Sequence, residues 1–336
     1  MQNGRCTNIK CGANATGLCL LNNPKLTDCE HWQPDATNAA DASNKKAKST
    51  SGQTRAKRGQ ALEGQSVEWT GYPLRLAEIE LVSRRTNPLI IAPVGAVSAG
   101  KSSFLGMLHS LLLRGHGLAQ YTFAGSLTLL GWEDLAVALR FHRGQATDQI
   151  ATPSDPTYYS LLHWAMRRAD GYLRDVLFPD ASGEVFSQWA VNQSDPNADN
   201  VRWIHRHADA FVFFIDCEAL VLRRGAAVSN LMDLAGRLAH GLNGRPVVVA
   251  WAKADMMDQV RPTVKQSLLS QLEQVLGAVP HFEISKQLQG QPDPRQLANL
   301  GLVDHILQVI ESNRPDSPEV AIPVGTQDHF FLYRGK

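Results

Sequence analysis

Eight consecutive residues, Gly95-Ala96-Val97-Ser98-Ala99-Gly100-Lys101-Ser102, fit the pattern G-x-x-x-x-G-K-[ST]. Residues of these types in this order can cradle phosphate. Glycines at both ends let the backbone curl, so that successive N–H groups point at anionic oxygens. A helix beginning near Lys101 adds the positive end of its dipole. Lys101 is then placed to reach the β- and γ-phosphates of a nucleoside triphosphate, and Ser102 to put its hydroxyl on Mg²⁺. The bland alternative is a Gly/Ser turn that holds nothing. Context weighs against it: Leu89-Ile90-Ile91-Ala92-Pro93-Val94 reads as a buried strand before the loop, and Ser103-Phe104-Leu105 as the start of an amphipathic helix after it.

Three further patterns fall at the ends of later strands. Asp180-Ala181-Ser182-Gly183-Glu184 is a D-x-x-G element. An acid in that place can hold Mg²⁺ through water, and the Gly183 N–H can meet the γ-phosphate and sense its presence. Ala252-Lys253-Ala254-Asp255 matches the last three positions of [NT]-K-x-D. The Asp255 carboxylate can accept hydrogen bonds from guanine N1 and N2; adenine lacks that donor pair and leaves the charge unpaired. The Lys253 stem can cover one face of the base. Finally, Ile284-Ser285-Lys286 forms a Ser-Ala-Lys-like loop suited to the guanine carbonyl.

The elements that must position these residues follow from hydrophobic patterning. Residues 74–84 read as a short amphipathic helix, 158–166 and 172–178 as two strands joined at Asp170-Gly171, and 210–215 and 246–251 as strands apolar throughout. Helices are expected over 101–114, 201–207, 227–242, 264–276 and 304–312, with a short strand at 281–284. Residues 115–157 are rich in turns and suit a mobile insert, and 185–200 read as a polar stretch. Buried strands alternating with helices mean an α/β domain, a mostly parallel sheet with flanking helices, over 66–315.

A chain of 336 residues can bury an ample core. Its net charge of +1 gives no overall pull toward nucleic acid or an anionic membrane. No apolar run approaches the roughly 20 residues of a spanning helix, and the first residues lack the apolar core of a secretory signal. A reducing cytoplasm is the expected compartment. Cys6, Cys11, Cys19 and Cys29 crowd into the first 29 residues. In a cytosolic segment four thiols fit a structural Zn²⁺ better than disulfides, with His31 as a substitute for Cys29 and a module over 1–32. The C-x4-C-x7-C-x9-C spacing is looser than paired C-x2-C knuckles, so unligated thiols stay open as the other reading. Residues 33–65 have few large apolar side chains and read as a flexible linker. Its basic cluster from Lys45 to Arg58 is explained by solvation, with nucleic-acid contact as the alternative. Residues 316–336 form a tail. Cys217 reads as a small core residue.

The order and placement of the four elements resemble the translation-factor and dynamin-related class of P-loop GTPases. The likeness spans residues 86–312, and the variant from Gly95 to Ser103 (with Ser98, Ala99, Gly100 and Ser103) is similar to loops of dynamin-like proteins. The cysteine cluster, the linker, D-x-x-G-E and A-K-x-D together resemble the bacterial double-GTPase proteins, which are encoded with partners in defence or conflict systems. That resemblance implies a Mg²⁺-dependent, GTP/GDP-binding switch that hydrolyses GTP within a protein assembly, the cysteine module docking a protein partner or, failing that, nucleic acid. It also implies a switch threonine on Mg²⁺: Thr152 is the best-placed candidate and Thr147 the alternative, against an ordinary loop residue. Glu184 stands where Ras-like families carry a water-orienting Gln. Ala252 departs from the pattern, because Asn or Thr there normally ties the base loop to the phosphate loop. Ala252 and Glu184 keep open a second reading, a nucleotide-binding scaffold with little turnover. His205 and His207, two residues apart, face different sides of a helix and make a poor metal pair. Trp132, Trp164, Trp189, Trp203 and Trp251 read as packing. Arg167, Arg168 and Arg174 read as solvated, with an arginine finger as the alternative.

Overall fold

A computed structural model describes residues 4–7, 31–34, 71–84, 86–139, 141–142, 145–146, 152–155, 157–286 and 293–312. The chain divides into two compact units, Met1–Gln65 and Ser66–Lys336. In the first, β1 (Gly4–Cys6) pairs antiparallel with β2 (Trp32–Pro34), setting Cys6 opposite Trp32. Cys6 is buried. Cys11, Cys19 and Cys29 lie outside the described residues, as do the linker and the tail. Among the described residues no three His, Cys, Asp or Glu side chains group closely enough to hold a metal ion, so the Cys-rich zinc module is not supported by them.

The second unit is built on a seven-stranded sheet. Its strands are β3 (Leu89–Val94), β4 (Tyr121–Gly125), β7 (Leu161–Arg168), β8 (Leu173–Pro179), β9 (Ala210–Asp216), β10 (Val247–Ala252) and β11 (His281–Glu283). A separate two-residue pair, β5 (Phe141–His142) and β6 (Gln145–Ala146), lies between β4 and β7 in the chain. The sheet order is β11-β10-β9-β3-β8-β7-β4, parallel from β11 to β8 and antiparallel beyond. Strands β3, β9 and β10 are buried along their whole length, as strands covered on both faces must be. The period of two is visible in the packing. Phe211, Phe213, Ile215, Val247, Val249 and Trp251 enter the core on one face, and Ala210, Val212, Phe214, Val248 and Ala250 the core on the other.

Helices close both faces. On the first lie α4 (Gly183–Val191), α5 (Asp199–His207), α6 (Cys217–Arg223), α7 (Gly225–Ala239) and α8 (Pro262–Leu276). On the second lie α2 (Lys101–Leu113), α3 (Leu129–Val137) and α9 (Pro294–Ser312). No helix among the described residues is long and apolar enough to cross a membrane.

Several expectations are corrected. The helix over 74–84 is a β-bridge of Leu74 to Leu161, a 3₁₀ turn Leu76–Glu78 and the single turn α1 (Glu80–Ser83). Within the supposed insert, β4 pairs with β7, and α3 carries Trp132, which stacks on Trp164 at 5.0 Å and donates to the His163 carbonyl at 2.9 Å. The polar stretch after Glu184 contains α4, whose Val185, Phe186 and Trp189 are buried. Helix α9 begins ten residues earlier than expected, at Pro294. The Asp293 carboxylate accepts from Gln296 N at 2.8 Å while the Gln296 side chain accepts from Asp293 N at 3.0 Å, a reciprocal cap. Cys217 opens α6 and is buried, in line with its reading as a small core residue; burial pushes its thiol up to about 12, so it stays protonated.

Candidate active site

Because β8, β3, β9, β10 and β11 run parallel, their carboxyl ends meet along one edge, where open α/β sheets place ligands. All four sequence motifs sit on that edge. The phosphate loop leaves β3 and turns through two left-handed residues, Ser98 at φ 60° and Gly100 at φ 93°, before α2 starts at Lys101. Gly183 is needed for a different reason: a Cβ on it would lie 2.3 Å from Val97 N and 2.4 Å from Ala96 C, inside the loop backbone. The D-x-x-G element therefore packs directly on the phosphate loop.

The Lys101 and Ser102 side chains are engaged within the site. Lys101 Nζ donates to the carbonyls of Gly95 at 2.9 Å and Ala96 at 3.0 Å and lies 5.6 Å from the centre of the Phe186 ring. Burial lowers its pKa to about 8, partly opposed by the Asp180 charge. Burial also raises Asp180, and its hydrogen bonds and Lys101 counteract that. Ser102 Oγ donates to Asp180 Oδ1 at 2.9 Å and lies 3.1 Å from Thr152 Oγ1, which donates to Asp180 Oδ2 at 3.4 Å. The three residues expected from sequence to hold Mg²⁺ thus converge, though Thr152 and Ser102 are 50 positions apart. Two hydroxyls and a carboxylate are the hard oxygen donors that Mg²⁺ takes, so the residues fit that ion. Thr147 lies outside the described residues.

Beside them, Glu184 is exposed and accepts a hydrogen bond from Ser154 Oγ at 2.5 Å. Ser182 Oγ caps α4 through Glu184 N at 3.2 Å and lies 3.1 Å from Ser154 Oγ. These residues, with Val97–Ser102 and Thr152, line a cavity of about 250 Å³.

A larger adjoining cavity of about 590 Å³ is bordered by Ser98, Gly100, Ser103, Lys253, Asp255, Ser285 and Lys286, with Phe104, Met107 and Leu139 as apolar wall. The size suits a nucleoside. The buried Ser285 Oγ has no hydrogen-bond partner among the described residues. A buried hydroxyl left so on a cavity wall is a place for a ligand atom. Asn299 holds the Ser285 loop, donating to the carbonyls of Ser285, Arg295 and Gln296. Ala252 packs against the phosphate loop, 3.4 Å from where a Gly100 Cβ would stand.

Sequence reasoning missed Asp216 and Glu218, whose carboxylates take Lys253 Nζ at 2.8 and 2.7 Å. The available signal was an acid closing the apolar run 210–215. It also missed Ser154 as the partner of Glu184. The arginine-finger alternative fails for Arg174, which is buried at the far end of β8 from Asp180, over the Tyr172 ring and 3.8 Å from Glu311. Its reading as solvated is corrected as well. His205 and His207 each face a backbone carbonyl, and Trp132, Trp164, Trp189 and Trp251 are core.

A glycine-rich loop between a central parallel strand and a helix, with a hydroxyl–carboxylate cluster and a base-sized cavity beside it, defines a P-loop nucleotide-binding protein. Residues 89–307 match the family described as Double-GTPase 2. That is more than half of the chain, and the chain belongs to this family: it is a GTP-binding and GTP-hydrolysing P-loop GTPase. No curated protein matches it. Among solved structures it is similar to nucleolar GTP-binding protein 1 from Plasmodium falciparum, at 16% identity and TM-score 0.41 over 67% of this chain and 90% of the other. It is also similar to a variant of Era from Aquifex aeolicus bound to GDP·AlF4⁻, at 15% identity and TM-score 0.34 over 69% of this chain and 59% of the other. At those scores neither likeness adds to what the family match shows.

Proposed function

We propose that the chain is a GTP-driven switch whose two cavities divide phosphate from base. The observation carrying this reading is the convergence of Lys101, Ser102, Thr152 and Asp180 on the loop beside a cavity bordered by Asp255 and the Ser285 hydroxyl, which has no partner among the described residues. The loop N–H groups and Lys101 bind the β- and γ-phosphates, Lys101 giving up its carbonyl partners to do so. Ser102, Asp180 and Thr152 would hold Mg²⁺, which when bound neutralises phosphate charge. Glu184 orients the water that attacks the γ-phosphorus; the bond to the β,γ-bridging oxygen breaks, and the proton ends on inorganic phosphate. The Gly183 N–H reads the γ-phosphate, so its departure frees the segment carrying Thr152 and Ser154. Asp255 accepts from guanine N1 and N2, Lys253 covers the base, and Ser285 with Lys286 meets the guanine carbonyl.

The test is nucleotide preference. Purified full-length chain should bind GTP and GDP far more tightly than ATP, and Asp255→Ala should erase most of that preference. Equal binding of ATP and GTP by the wild type would remove the base assignment.

The same reading extends to residues 1–32 as a structural Zn²⁺ module of Cys6, Cys11, Cys19 and Cys29, a linker over 33–65, and a protein partner in a defence-type assembly. Zinc content unchanged by a Cys6→Ser/Cys11→Ser variant would discard the metal.

A further inference from the structure

The ammonium of Lys253 is not aimed at the phosphate loop. It is held between Asp216 Oδ2 at 2.8 Å and Glu218 Oε2 at 2.7 Å. Asp216 ends β9 directly opposite Ala252 in the sheet register, one residue before Lys253. Both of its oxygens are committed. Oδ1 accepts from Glu218 N at 3.0 Å and Ala219 N at 3.3 Å, capping α6, while Oδ2 takes the lysine. A carboxylate fixed on both sides orients its partner rigidly. Lys253 itself adopts φ 55°, ψ 44°, a left-handed conformation that a non-glycine residue keeps only when its surroundings enforce it. Glu218 and Lys253 border the same large cavity as Asp255.

We infer that Asp216 and Glu218 form a carboxylate clamp that positions the Lys253 stem along the base, serving where Ala252 cannot tie the base loop to the phosphate loop. This rests on the base-site reading above. Asp216, Glu218 and Asp255 against Lys253 and Lys286 leave that end of the cleft net negative. Anionic phosphates are thereby turned toward Lys101, and the nucleotide has one favoured orientation. Asp216 and Glu218 are positioning residues: they act through Lys253.

Glu218→Gln removes half of the clamp and leaves the Asp216 cap intact. In the full-length chain it should raise Kd for GTP and GDP alike by about two- to fivefold, with the loss falling on KM rather than kcat and little change in Tm. Asp216→Asn should do the same more strongly, with a lower Tm from the weakened cap. In the Lys253→Met background, Glu218→Gln should cost nothing further, because the clamp then has nothing to hold. If the folded Glu218→Gln and Asp216→Asn variants kept wild-type Kd and KM, or if the Glu218→Gln loss simply added to that of Lys253→Met, the clamp would be wrong. Asp255→Ala measured alongside separates the two ideas. Lost guanine preference there with no effect of Glu218→Gln overturns the clamp alone, and retained preference there overturns the base site beneath it.

Discussion

The two ends of the cleft are built on opposite plans. At the phosphate end the functional side chains are engaged: Lys101 with the carbonyls of Gly95 and Ala96, and Ser102, Thr152 and Asp180 with one another. At the base end the Ser285 hydroxyl stands buried without a partner among the described residues, on the wall of the larger cavity. The first end exchanges internal contacts for ligand contacts when a nucleotide enters; the second only gains them. Phosphate binding should thus be sensitive to charge and protonation, and base binding to single hydrogen bonds.

Removing the ammonium from the closed end breaks the comparison most severely. Lys101→Ala should lower kcat for GTP about a thousandfold; single-turnover hydrolysis reads it. Next comes the contact between the two phosphate-side motifs. Gly183→Ala drives a Cβ into the backbone at Ala96 and Val97. It should cost about a hundredfold in kcat, with a fall in Tm of several degrees.

Protonation gives a smaller effect with a definite sign. The pKa of Lys101, about 8 in the chain without nucleotide, lies below the unfolded value of 10.5. The folded form therefore binds fewer protons than the unfolded one between those values, so the stability contributed by this residue falls as pH drops from 10.5 to about 8 and is level below that. Phosphate charge restores the proton on binding. Fluorescent-nucleotide titrations should show Kd for GTP worsening by up to about tenfold per pH unit above pH 8, and Lys101→Met should flatten that slope. A slope equally steep in the variant would assign the proton elsewhere. The mildest test sharpens the contrast at the open end. Ser285→Ala should weaken GTP binding about threefold yet raise Tm by about 2 °C, since it deletes a buried hydroxyl with no partner among the described residues. Loss of both affinity and stability would mean that the hydroxyl is already satisfied in the free protein.

Legibility followed the range of the interactions. Strands β3, β9 and β10 are apolar but for Asp216 at the end of β9 because both faces are covered, and composition alone exposes them. Strand β4 escaped notice: it lies at the sheet edge with three of five residues exposed, so it carries no alternation. Helix α4 had a readable signal that was passed over, Ser182 as a cap followed by Val185, Phe186 and Trp189 at helical spacing. The same holds for α9, whose Asp293-Pro294-Arg295-Gln296 start is a reciprocal cap written in sequence. Arg174 could not be read as buried, because Glu311, its ion-pair partner, is far away in the chain.

By itself the sequence determined the phosphate chemistry. A loop of eight consecutive residues needs only local backbone geometry to curl around an anion, and four motifs in order on strand ends carry guanine-nucleotide character with them. Tertiary structure alone decided which groups meet across the cleft: Ser102 with Thr152 and Asp180, Glu184 with Ser154, and Lys253 with Asp216 and Glu218. Those pairs depend on strand register and on the angle at which a loop returns. A shift of one residue turns a side chain to the opposite face, and no local pattern encodes that choice.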